Sequence, residues 1–190
     1  MIAGAHGFGR FRCNAVELRR VYAGGGLLLY PTESVWGLGC DPMQRAGVER
    51  LLALKGRKPG KGLIIITGDV KFAQPFLAAA QVDKRFVWPM HTTLLLPDPE
   101  YTFSQLVRGE HTYVAIRVSR HPFVRWFSRN IAPFLVSTSA NFSGSPAARR
   151  LERVHPRLGA QVDLIVPGLT LGKPRPSTIR ALNSEQLIRR

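Results

Sequence analysis

The sequence predicts an α/β protein built on a central, open, twisted and mixed sheet with helices flanking it. Three observations lead there. Helical and strand patterns interleave along the whole chain. The strand segments are too uniformly apolar to leave one face to water, as in sheets covered by helices. Finally, 190 residues with 45% hydrophobic and 21% charged side chains suit one domain with a sizeable core. The expected unit is a single domain over 1–190, with the glycine-rich, basic residues 1–13 set apart as a flexible lead-in.

Each element has its own signal. Asn14 is a candidate N-cap for a helix over 14–23, which Gly24, Gly25 and Gly26 end. LLLY (27–30) reads as a buried strand broken by Pro31, and ESVWGLGCDP, with Gly37, Gly39 and Pro42, as a loop. Val48, Leu51, Leu52 and Lys55 recur at helical spacing over 46–55. The basic turn GRKPGKG then feeds the strand LIIIT at 63–67. Two short helical patterns occupy 69–88, with Pro75 early in the first. TTLLLP (92–97) and the alternating TYVAIRVS (112–119) are strands, and HPFVRWFSRN (121–130) is a helix with Pro122 in its first turn. A strand over 134–136 runs into hydroxyl-rich residues. A short helix near 149–158 and strands at 162–166, 177–182 and 185–188 complete the chain.

Composition narrows the function classes. Net charge is +15, from 27 basic and 12 acidic residues, and only six of the 27 are lysine. Such a field steers anions toward the protein, and arginine suits bidentate phosphate and carboxylate contacts; an arginine-rich genome composition is the plainer source of the same bias. Cys13 and Cys40 form no CxxC pair, so neither a disulfide framework nor a zinc site is expected, and no metal-ligating set is nominated. The first residues lack the apolar stretch of a signal peptide, and no window suits a membrane span. The cytoplasm is the expected compartment.

Three polar clusters adjoin apolar strands: YPTESVWG, KGRKPGKG and STSANFSG. In open α/β sheets ligands bind where strand ends converge, so the three together carry more than any one. In KGRKPGKG, cations alternate with glycines whose backbone N–H groups can approach an anion, although a solvated basic loop reads the same way. Arg117 sits between Ile116 and Val118 on its strand, either snorkelling at an edge or reaching into a pocket. Ser137, Thr138, Ser139, Asn141 and Ser143 are too polar for a core strand and form turn chemistry or a ligand shelf. A hydrolase triad is disfavoured: no GxSxG occurs, and none of the five histidines has a motif context. His121 before Pro122 reads as a helix-start residue, and Phe142 as packing.

Taken in order, YPTESVWGLGCD, LKGRKPGKGLIII, WPMHTTLLLP, AIRVSRHP, LVSTSANFSG and PSTI resemble the YrdC/TsaC family of threonylcarbamoyl-AMP synthases, from about residue 14 to the end. The resemblance implies a YrdC-like single-domain α/β fold with a positively charged concave face. It implies an enzyme, a nucleotidyltransferase, that combines L-threonine, bicarbonate or CO2 and ATP, with Mg2+ accompanying the nucleotide. Partner proteins would then transfer the threonylcarbamoyl group to tRNA. By motif, it places Lys55 and Arg57 as the catalytic cations at the triphosphate. Thr32 falls at the threonine substrate, Arg117 at a carboxylate or phosphate, and Ser137, Ser139 and Asn141 on the shelf. Thr93, Ser177 and Thr178 fall near the bound substrates. Two departures stand out: WPMH replaces the usual WPGP, putting Met90 and His91 in place of Gly-Pro, and the proline of the basic loop falls one place later, at Pro59.

Two competing readings use charge alone. One is a non-catalytic module that holds double-stranded RNA or tRNA, and the other a ribosome-assembly factor. No aromatic-interleaved basic motif of the RNA-recognition kind accompanies the charge.

Overall fold

The computed structural model describes residues 14–57, 60–83, 85–173 and 176–182, and the backbone of 187–189. The lead-in expected over 1–13, and Pro59 of the basic turn, lie outside the described residues.

Nine strands among the described residues form one mixed sheet: β1 (Leu28–Pro31), β2 (Trp36–Gly39), β3 (Ile64–Thr67), β4 (Thr92–Pro97), β5 (Tyr113–Val118), β6 (Leu135–Ser139), β7 (Leu164–Ile165), β8 (Thr178–Ala181) and β9 (Leu187–Arg189). Their spatial order is β7-β1-β2-β6-β3-β5-β4-β8-β9. Pairs β1–β7, β3–β5 and β4–β8 are parallel and the rest antiparallel. The helices are α1 (Ala15–Ala23), α2 (Arg45–Lys55), α3 (Gln74–Ala79), α4 (Gln105–Arg108), α5 (Pro122–Asn130) and α6 (Pro156–Gly159), with 3-10 turns at Val70–Ala73 and Leu151–Arg153. Asn14 caps α1 as expected, accepting from the Val16 and Glu17 N–H groups.

Strand alternation sends side chains to two sides of the sheet. On one side Leu29, Leu38, Ile65, Leu94, Ile116 and Val136 pack against α2, α3 and α4 through Leu51, Phe76 and Val107. On the other side Leu28, Tyr30, Ile66 and Leu135 pack against α1 and α5, through Tyr22 and Phe127. Those two helices cover only part of that second side. The rest is left open, and the candidate site lies there.

The structure corrects three sequence expectations. ESVWGLGCDP is not simply a loop: Trp36–Gly39 forms β2, in a hairpin with β1, and Pro31 stays in register with Trp36. Glycine here marks close approach rather than a turn. A Cβ on Gly39 would stand 1.8 Å from the Val136 carbonyl oxygen, and one on Gly37 would stand 3.0 Å from the Tyr30 ring. Likewise, Ser137, Thr138 and Ser139 are strand residues, paired with Ile64, Leu38 and Gly37. They are tolerated because their surface is part-exposed, unlike the buried Leu135 and Val136 before them. Lastly, the helical patterns of 69–88 form helix only over 70–79, since Gln81, at φ 55°, turns the chain out of α3.

Candidate active site

The open part of the sheet is the floor of a cavity of about 500 Å³. Gly37 of β2, Ser137 and Ser139 of β6, Ile64 of β3, Tyr113, Ala115 and Arg117 of β5, and Leu95 of β4 all face it. The ligand face is therefore the sheet surface itself, not only the strand ends from which the sequence reading began. Four cations, Lys55, Arg57, Arg108 and Arg117, line it, and no carboxylate does among the described residues.

Lys55 is the last residue of α2, which Gly56 ends in the left-handed conformation at φ 57°. That exit directs the lysine across to β6. Nζ donates to the Ser139 carbonyl (2.7 Å), to the Asn141 carbonyl and to Asn141 Oδ1 (3.1 Å). Ser139 Oγ donates to the same Oδ1 (2.5 Å), and Ser143 Oγ closes the loop by donating to the Lys55 carbonyl (2.8 Å). Burial pushes the Lys55 ammonium down to about 8, and Arg57 beside it acts in the same direction. Arg57 Nη2 donates to the Gly62 carbonyl at 2.6 Å, which folds the basic turn against the cavity. The basic cluster thus divides: Lys55 and Arg57 belong to the cavity, whereas Lys61 is exposed.

At the other end, Arg117 is 8% exposed on a strand between β3 and β4, which settles it as an inward arginine rather than an edge one. Its Nη2 donates to Glu33 Oε2 at 2.5 Å. Glu33 Oε1 in turn accepts from Ser119 Oγ (2.8 Å) and the Arg120 N–H (2.9 Å). Burial raises the Glu33 carboxyl, but Arg117 and these donors outweigh it and hold the group below its usual value. Arg117 Nε–H is buried without an acceptor among the described residues. Beside this pair, Thr32 Oγ1 donates to the Val35 carbonyl at 2.7 Å, leaving its oxygen able to accept.

Eight of the ten expected site residues line the cavity: Thr32, Lys55, Arg57, Arg117, Ser137, Ser139, Asn141 and Ser177. Thr93 and Thr178 stand behind it. Thr93 Oγ1 lies 2.9 Å from Ser177 Oγ, and Thr178 Oγ1 lies 3.4 Å from Thr92 Oγ1. The sequence reading did not single out Glu33, Ser34, Arg108, His111 or Tyr113. Tyr113 was within reach, since it shares the parity of Arg117 on an alternating strand. His121 is the helix-start residue expected: Nδ1 accepts from the Phe123 N–H and Nε2 donates to the Leu169 carbonyl at 3.0 Å. Phe142 packs edge-on against His155.

A cavity floored by a mixed sheet, walled by cations and shelved by hydroxyls defines an α/β protein whose site suits small anionic ligands. Its kin make this specific. The family model described as Sua5_yciO_yrdC, telomere recombination, matches residues 20–190. Threonylcarbamoyl-AMP synthase of Chromohalobacter salexigens is 46% identical over 170 residues, 87% of this chain and 91% of that protein. Its counterpart from Marinobacter nauticus is 41% identical over 165 residues, 85% of this chain and 87% of that one. The crystal structure of P. abyssi Sua5 complexed with L-threonine superposes with a TM-score of 0.77 at 26% identity, over 93% of this chain. This chain spans 54% of that longer one. E. coli YciO shares the fold, with a TM-score of 0.74 at 20% identity over 92% of this chain and 87% of that one. The chain belongs to the Sua5/YciO/YrdC family.

Proposed function

We propose that this protein is an L-threonylcarbamoyladenylate synthase. It joins L-threonine, bicarbonate or CO2 and ATP into threonylcarbamoyl-AMP and pyrophosphate, for N6-threonylcarbamoyladenosine at tRNA position 37. The observation that carries the reading is one cavity holding two differently built cationic ends, in a chain whose relatives bear that enzyme's name. Those names favour catalysis over a non-catalytic RNA-binding or ribosome-assembly role.

In this reading the Arg117 end takes threonine. The guanidinium meets the carboxylate, as its planar fork suits, and the Thr32 oxygen accepts from the ammonium. Lys55 and Arg57 take the phosphates, beside the Ser137, Ser139 and Asn141 shelf, with Ser177 on the opposite wall and Thr93 and Thr178 behind it. The threonine amine attacks CO2 with loss of a proton, or bicarbonate with loss of water, and the resulting carbamate oxygen attacks the α-phosphate. The bond to pyrophosphate breaks, as in nucleotidyl transfer. The chain's contribution is positioning and charge neutralisation.

Mg2+ bound to ATP would supply further neutralisation of the phosphates. The cavity's hydroxyls and cations suit the nucleotide itself, and no group of three His, Cys, Asp or Glu side chains able to hold a metal occurs among the described residues. Partner proteins in the cytoplasm would receive the intermediate, and a net charge of +15 favours tRNA contact during that transfer. No helix among the described residues is long and apolar enough to cross a membrane.

The test is incubation with ATP, L-threonine, bicarbonate and Mg2+, following pyrophosphate and threonylcarbamoyl-AMP. Threonine-dependent appearance of both is expected. Pyrophosphate release indifferent to threonine, or none at all, would overturn the reading.

A further inference from the structure

His91, the last residue of the WPMH stretch, has its own place in the site. His91 adopts φ 56°, in the left-handed region that proline cannot enter. Its loop backbone therefore follows a path that a proline at this position would forbid. Its carbonyl accepts from the Thr178 N–H at 3.2 Å, which ties that path to β8. Its ring then reaches two residues of the cavity wall. Nε2 lies 3.2 Å from Ser34 Oγ, and Nδ1 lies 3.5 Å from Arg117 Nη2.

A guanidinium only donates, so Nδ1 is placed to accept from it, while Nε2 faces the Ser34 hydroxyl. Glu33, on the β1–β2 turn, holds the same guanidinium through Oε2.

We propose that His91 is a positioning residue of this site, holding the Arg117 guanidinium and the Ser34 hydroxyl at the cavity wall through its two ring nitrogens. Glu33 anchors Arg117 from one side and His91 from another, so the guanidinium is aimed rather than merely neutralised. The inference rests on the assignment of the Arg117 end to threonine. It predicts that His91 acts on threonine recognition and not on the nucleotide.

The experiment compares wild type, His91→Ala and His91→Asn in the threonylcarbamoyl-AMP assay. Asparagine tolerates the left-handed backbone and keeps an acceptor near the Nδ1 position. His91→Ala raises the KM for threonine about tenfold, as expected for one lost charge-assisted contact, while the KM for ATP stays within about twofold. His91→Asn keeps the threonine KM within about twofold of wild type. Melting temperatures of the three proteins identify any variant that fails to fold, and His91→Gly, which suits the left-handed backbone, then replaces the alanine variant. A threonine KM unchanged in His91→Ala, or threonine and ATP KM values that rise together, would overturn the proposal. Absence of threonine-dependent product in wild type would instead overturn the assigned function, so the two failures are told apart.

Discussion

The two cationic ends of the cavity are built on opposite electrostatic plans. Arg117 is buried against a full counter-charge, Glu33, whose own oxygens are satisfied by Ser119 and Arg120. Lys55 is buried to a similar degree but faces only neutral oxygens, those of Ser139 and Asn141. Charge at the arginine end is already neutralised, so what remains to offer is directed N–H geometry. That suits a zwitterion such as an amino acid. At the lysine end the charge is unspent, which is why burial depresses the ammonium there, and it suits a polyanion that would restore it. Geometry at one end and net charge at the other is the division of labour that the proposed assignment of threonine and ATP calls for.

Breaking the charge at the lysine end should have the largest effect. Lys55→Ala removes a cation from the phosphates and frees the Ser139–Asn141 turn, so synthesis should fall by about a hundredfold or more, from the loss of charged hydrogen bonds. Near-normal ATP affinity in this variant would erase the contrast. Glu33→Gln tests the other plan, because it strands Arg117 as a buried, unpaired cation. A loss of about 3–5 kcal/mol, or roughly 10 °C in melting temperature, is expected by calorimetry.

Titration sharpens the same comparison. A lysine whose pKa falls to about 8 loses its charge as pH rises through that value, so the KM for ATP should climb between about pH 7.5 and 9.5. The KM for threonine should move less, since Lys55 stands at the other end of the cavity from the Arg117–Glu33 pair. For stability the sign is opposite. The unfolded chain binds the extra proton between the folded value and the ordinary one, so this group adds stability as pH rises across that window. The smallest effect belongs to Thr93→Val, which removes only the hydroxyl behind Ser177. It should cost about 1 kcal/mol and leave both affinities within roughly threefold.

Much of this was legible in the sequence, for identifiable reasons. Asn14, the Gly24–Gly26 stop, and the Leu51–Lys55 spacing act locally, so α1 and α2 read directly. Lys55, Arg57, Arg117 and Ser139 stood out by type, but residue type alone left each open between site and loop or edge, and the family resemblance assigned them to the site. What could not be read is what depends on distant packing. Gly37 and Gly39 look like loop residues until Tyr30 and Val136 are seen pressing on them. Ser137–Ser139 look unfit for a strand until the helices are found to leave that stretch of sheet uncovered. Glu33 and Ser34 were in view within YPTES, yet their role appears only once Arg117 and His91 arrive from elsewhere in the chain.

The most direct test is a crossed binding measurement by isothermal titration calorimetry, with L-threonine and ATP–Mg2+ titrated separately into wild type, Lys55→Ala and Arg117→Ala. Lys55→Ala should lose nucleotide affinity by at least about tenfold and keep its threonine affinity; Arg117→Ala should do the reverse. Equal weakening of both ligands in both variants, or unchanged binding in either, would contradict the assignment of one substrate to each end.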